Sequence, residues 1–138
     1  MLSNIGNFLL FLNVLLSILI IYNSYTCLKI SNNLISKSIY QLSIFQSTTI
    51  LICFFTLIAA FLISDFSLIN VYQNSHSLKP VFYKISGTWG NHEGSLLLWV
   101  IILILFSFLF LVYNKTHPKN YRLSTLIIQN LLILGFLF

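Results

Sequence analysis

The sequence predicts an all-α, polytopic membrane protein: four transmembrane helices with one long outward-facing loop between the second and third. Three observations predict it. The 138 residues are 58% hydrophobic and only 7% charged, with a mean hydropathy of +0.94, whereas soluble domains carry about 25% charged residues. The apolar residues gather into four runs instead of scattering over many short elements. Those runs are continuous, not alternating, and too few to close a barrel, which leaves helices as the spanning element. Disorder is excluded, because a disordered chain needs low hydrophobicity and high charge.

The elements follow in order, within a single membrane domain of residues 1–138. The first span covers about residues 5–25, an apolar run interrupted by Gly6, Asn7, Asn13 and Ser17. The second, about 40–63, includes Thr48, Thr49 and Thr56, whose hydroxyls bond back to helix carbonyls in such settings. The third, about 95–113, is the most apolar. About twenty residues cross a hydrocarbon core of roughly 30 Å, so all three are long enough. The fourth, about 122–138, is shorter and ends on Gly135, Phe136, Leu137 and Phe138 with no polar flank. That ending reads as a larger polytopic protein cut inside, or just after, its fourth helix.

Charge placement orients the chain. The first loop carries Lys29 and Lys37, and the third carries Lys115, Lys119 and Arg122. The second loop balances Lys79 and Lys84 with Asp65 and Glu93, the two acidic residues of the sequence. The positive-inside bias puts loops one and three in the cytoplasm or mitochondrial matrix, with both termini and loop 64–94 on the outer side. This explains the basic excess without nucleic acid, and no stretch interleaves basic residues with stacking aromatics. Tyr22, Tyr25, Tyr40, Trp99 and Tyr113 fall near span ends, as interfacial aromatics do.

Cys27 and Cys53 stand at different expected depths, so a disulfide between them is not expected, and no C-x-x-C pair exists for metal or redox work. Two Ala against 20 Ile and 13 Phe point to an AT-rich gene, as in many organelles. The N-terminus has the pattern of neither a cleaved signal nor a transit peptide.

Loop 64–94 carries most of the functional information, as long loops in small bundles tend to. Pro80 to Ile85 begins either a short interfacial helix, with Pro at its first position, or a surface turn. Thr88-Trp89-Gly90-Asn91-His92-Glu93-Gly94-Ser95 is the densest cluster. Its glycines allow unusual backbone conformations and close approach of another chain. Trp89 suits stacking or interfacial anchoring, and Glu93 suits the positive end of a helix dipole. His92 has the chemistry of a metal or haem ligand or a proton shuttle, against a hydrogen-bonded structural role. The spacing is not H-E-x-x-H, since Leu96 stands where the second His would be, so no metal site is expected. His76 and His117 read as solvated.

The run Gly87-Thr88-Trp89-Gly90-Asn91-His92-Glu93-Gly94-Ser95-Leu96-Leu97-Leu98-Trp99 closely resembles the T-W-G-x-H-E-G-S-L-L-L-W signature of the CcmF family. CcmF is the large membrane subunit of the cytochrome c haem lyase in bacterial and some mitochondrial maturation systems. Ile5-Gly6-Asn7 resembles that family's E-I-G-N opening, and Ser64-Asp65-Phe66 its N-D-F at the end of helix two. Asn74-Ser75 and Pro80-Val81-Phe82-Tyr83-Lys84 resemble its S-N-S and P-V-W-Y-R. The likeness runs in order along essentially the whole chain.

The resemblance implies a part in taking haem from a haem chaperone and presenting it to apocytochrome c, whose C-x-x-C-H thiols add to the haem vinyl groups. It also implies what is missing. The family's tryptophan-rich W-W-x-W-D segment and its F-H-P-P motif have no counterpart among these 138 residues, which hold only Trp89 and Trp99. No haem-ligand residue carries over. The chain therefore reads as a non-catalytic N-terminal piece of a split CcmF in a mitochondrial inner membrane, with a bacterial inner membrane as the alternative setting. Haem belongs to the assembled complex, with none expected on this chain alone. The implied partners are the remaining CcmF pieces, the haem chaperone, apocytochrome c and its thiol-handling partner. Thr88, Trp89, Gly90, His92, Glu93, Gly94 and Trp99 form the signature site, architectural or partner-facing. The competing expectation is a small structural subunit of a respiratory complex, which has no evident need for that cluster.

Overall fold

A computed structural model describes residues 2–29, 35–114 and 116–137. Lys115 of the third loop and Phe138 at the close of the fourth run lie outside them. The regular structure among the described residues is helical: α1 Leu2–Lys29, α2 Lys37–Ile63, α3 Ile69–Asn74, α4 Val81–Gly87, α5 His92–Tyr113 and α6 Lys119–Leu137. The four long helices begin a few residues ahead of their apolar runs. A helix backbone needs no apolar side chain in its first turn, where Lys37, Ser38, His92 and Glu93 sit. Helices α1, α2 and α5 are long and apolar enough to cross a membrane. Helix α6 falls outside that set, with Lys119, Arg122, Gln129 and Asn130 among its 19 residues.

Helix α1 packs on α2 and α6, and α5 packs on the same two, so the long helices close a ring in the order α1, α2, α5, α6. Three apolar clusters fill it. Cys27, Ile39, Leu111, Leu123 and Leu126 pack where α2 and α6 start. Ile50, Val100, Ile101, Ile104 and Ile133 fill the middle. Ala60, Phe61 and Val71 join the end of α2 to α3. Large apolar side chains such as Phe8, Phe11, Phe55 and Phe106 face outward, the surface expected of helices meeting lipid or further protein.

A polar layer crosses this apolar interior. Gln46 Nε2 donates to Ser17 Oγ at 2.7 Å and to Asn130 Oδ1 at 3.2 Å. Thr49 Oγ1 donates to Asn13 Oδ1 at 3.3 Å. All five side chains are buried, so α1, α2 and α6 are fixed in register by bonds that water cannot replace. The threonines behave as their sequence setting predicts: Thr48 and Thr49 donate to the Phe45 carbonyl and Thr56 to that of Cys53. Both cysteines are buried and neither is in a disulfide, Cys27 near the α2 start and Cys53 opposite Gly6, whose carbonyl lies 3.8 Å from Cys53 Sγ.

Candidate functional site

The segment from Ser64 to the start of α5 forms a bonded cap on one end of the ring. Helix α2 stops at Ser64, which takes a left-handed conformation (φ 56°) and returns its N–H to the Ala60 and Phe61 carbonyls. Asp65 Oδ1 then accepts from the Ser67 N–H at 3.2 Å and the Ser67 hydroxyl at 2.6 Å. Those two donors hold the Asp65 carboxyl below its ordinary pKa of 3.8. Helix α3 follows, then α4, which begins at Val81 with Pro80 as its N-cap. Pro thus precedes the helix by one residue, where its missing N–H costs nothing.

Helix α4 lies on α2. Its Lys84 is buried, and Nζ donates to Ser64 Oγ at 2.6 Å and to the Leu62 carbonyl at 3.4 Å. An ammonium there satisfies the exposed carbonyl end of α2 and complements its dipole. On the exposed side of the same short helix stand Val81, Phe82 and Tyr83.

The turn from α4 to α5 holds the cluster singled out in the sequence. Thr88 is fully buried, its N–H and hydroxyl both turned to the Ile85 carbonyl. Trp89 is 41% exposed and stacks on Phe54 of α2, with ring centroids 6.4 Å apart. Gly90 N–H bonds the Ser86 carbonyl at 3.1 Å, and a Cβ at Gly90 would stand 3.2 Å from that oxygen. Asn91 is the N-cap of α5: Oδ1 accepts from Gly94 N–H at 2.7 Å while Nδ2 donates to the Gly87 carbonyl at 2.8 Å. One side chain therefore ends α4 and starts α5. His92 and Glu93 open α5; Glu93 is exposed and His92 stands beside it in the same first turn. Glu93 Oε2 sits 3.4 Å from Asn70 Nδ2, which also donates to Asn91 Oδ1 at 3.1 Å, tying α3 to the α5 entrance. Trp99 lies further along α5 and points outward.

The glycines serve closeness and not left-handed geometry. Among the described residues no glycine has a positive φ. Gly94 packs closely against the Thr88 carbonyl of its own chain. Sequence reasoning missed Asn70, Asn91 as a double cap, and Lys84. An Asn three residues before Gly94 at the head of an apolar run is a readable N-cap signal; the Asn70 and Lys84 bonds depend on the fold.

Beneath this cap a cavity of about 360 Å³ opens between the long helices. Leu10, Leu57, Leu97 and Val100 wall it, and Ser3, Asn7, Asn70 and Glu93 stand at its mouth. The Gly6-Asn7, Ser64-Asp65, Asn74 and Thr88–Ser95 segments, far apart in sequence, thus share one end of the ring. Among the described residues no three of His, Cys, Asp and Glu gather into a group able to hold a metal ion.

No protein-family model matches the chain. It is 46% identical over 85 residues to a cytochrome c-type biogenesis protein CycK of Rhizobium meliloti, an alignment covering 62% of this chain and 13% of that protein. It is 46% identical over 92 residues to the biogenesis protein ccl1 of Rhodobacter capsulatus, covering 67% and 14%. With a CcmF of Escherichia coli the identity is 37% over 84 residues, covering 61% and 13%. The aligned part is thus about an eighth of the length of these relatives. The fold matches a solved cytochrome c heme lyase CcmF with a TM-score of 0.87 at 22% identity, over 99% of this chain and 23% of that one.

Proposed function

Taking the chain as a CcmF-type cytochrome c biogenesis sequence over the region it shares with those relatives, we propose that it is the N-terminal piece of a split, mitochondrial CcmF-like haem lyase. It works in cytochrome c maturation, where haem is joined covalently to apocytochrome c, only when assembled with the pieces that carry the tryptophan-rich segment. The observation that carries this reading is the bonded cap: within the family-like signature Asn91 and Glu93 are tied to Asn70, and Glu93 stands at the mouth of one cavity.

In this reading Thr88, Gly90 and Gly94 are architectural, setting the turn into α5. Trp89, His92 and Glu93 face partners: the completing pieces, a haem chaperone, and apocytochrome c with its thiol-handling protein. Trp99 meets lipid or a completing helix. Haem is held by the assembly. The chain crosses the inner membrane four times, α6 included, with both termini and the 64–94 cap in the intermembrane space. In α6, Asn130 and Arg122 turn inward, where Asn130 accepts from Gln46 and Arg122 donates to Tyr40, which supports a span despite its polar residues.

His92→Ala and Glu93→Gln test the reading. Both variants insert in the membrane normally and both lower holo-cytochrome c. Unchanged haem attachment in the two would remove any working role for the cap.

A further inference from the structure

The acidic charges of this chain are confined to one end. Asp65 and Glu93 are its acidic side chains, and both belong to the cap. At the opposite end, where α2 and α6 start, Arg122 is only 6% exposed. Its Nη2 donates to Tyr40 Oη at 2.9 Å and to the Leu111 carbonyl, while Nε has no hydrogen-bond partner. Helix α2 separates Tyr40 from Asp65 by roughly 35 Å at 1.5 Å per residue, so neither carboxylate reaches the guanidinium. The Leu111 carbonyl, in the last turns of α5, brings only the partial negative charge of a helix end. A buried cation in that state is expensive unless a full negative charge joins it.

The surroundings are built to receive one. The bond between Tyr40 and Arg122 brings together the starts of α2 and α6, both positive ends of helix dipoles. One turn earlier on each helix stand Lys37 and Lys119. Three cations and two helix starts thus share this end of the bundle with no acidic side chain among them. We propose that this end of the bundle seats the phosphate of an anionic membrane lipid, with Arg122 as the inner donor and Lys37 and Lys119 at the rim. Lipid is the fitting source because α1, α2 and α5 have membrane-spanning length, which sets their ends at headgroup depth. Arg suits this position, since its fork matches phosphate oxygens and stays charged when buried. This inference does not depend on the haem-lyase reading.

The test uses the full chain in nanodiscs of phosphatidylcholine, with and without phosphatidylglycerol, read by thermal unfolding and by native mass spectrometry of retained lipid. Phosphatidylglycerol should raise the Tm and remain bound, and both effects should disappear in Arg122→Gln. The Lys37→Gln/Lys119→Gln double variant leaves the interior intact and should weaken lipid retention even where Arg122→Gln fails to fold. Equal Tm in the two lipid mixtures overturns the proposal. So does a lipid response undiminished in the variants, which would mean diffuse surface attraction. An equal Tm rise from inorganic phosphate in phosphatidylcholine discs would overturn the lipid as source.

Discussion

The Thr88 carbonyl occupies the space where a side chain on Gly94 would begin. A Cβ built on Gly94 would stand 1.7 Å from Thr88 O and 2.8 Å from Thr88 C. The obstacle is backbone, which cannot swing aside as the tip of a side chain can. Glycine at position 94 is therefore what lets α5 start beneath the turn, with Asn91 closing over it.

Gly94→Ala should accordingly cost about 3 kcal/mol, the upper part of the range for overpacking, and should displace Asn91 from its capping bonds. Gly135→Ala is the contrast, because a Cβ there meets nothing within 4 Å. Gly135 stands in the last turn of α6, so that exchange should stabilise by less than the roughly 0.5–1 kcal/mol of a helix interior. Denaturation of the two variants in one detergent checks both signs.

Lys84→Met keeps the buried stem and removes the ammonium from Ser64 Oγ and the Leu62 carbonyl. Leaving those acceptors unpaired at the end of α2 should cost about 1–3 kcal/mol. The loss should appear first as faster amide exchange at the α2 terminus and across α4.

The polar layer makes a separate prediction. Gln46→Leu removes both bonds that this side chain donates, to Ser17 and Asn130. A double-mutant cycle with Asn130→Leu should return a coupling of about 0.6–1.7 kcal/mol, the range for hydrogen bonds between membrane helices. A coupling of zero would mean that α2 and α6 are held by their apolar contacts alone.

Asp65 gives the cap a pH dependence of known sign. Its folded pKa lies below its ordinary value because Ser67 donates twice to the carboxylate. The stability it contributes is therefore present above the ordinary carboxylate pKa and is lost as pH falls through the lower, folded value. Acid titration of Trp89 fluorescence in a Trp99→Phe background should show the cap loosening in that acid window. Asp65→Asn should remove that step.

How far the sequence reveals this molecule differs by level. The long helices are legible because continuous apolar runs leave no other way to satisfy the backbone in lipid. Their ends are not, since Lys37 or His92 joins a first turn at little cost. The short helix after Pro80 is half legible, from Pro's place before a helix; α3 has no such marker. The signature cluster stands out in the sequence, and its relatives are named as cytochrome c biogenesis proteins. What the cluster touches is not legible there. Thr88 against Gly94 is local, but Asn70 to Glu93, Lys84 to Ser64 and Gln46 to Asn130 join residues 20 or more positions apart, and only the packed ring sets their register.

If this chain works inside a haem lyase, the native complex that contains it must hold the rest of that lyase. Purification of that complex in mild detergent, with mass spectrometry and a haem spectrum on the same band, decides the matter. The expected result is a co-purifying membrane chain bearing the tryptophan-rich segment, together with bound haem. A band of respiratory-complex subunits with neither would contradict the haem-lyase role.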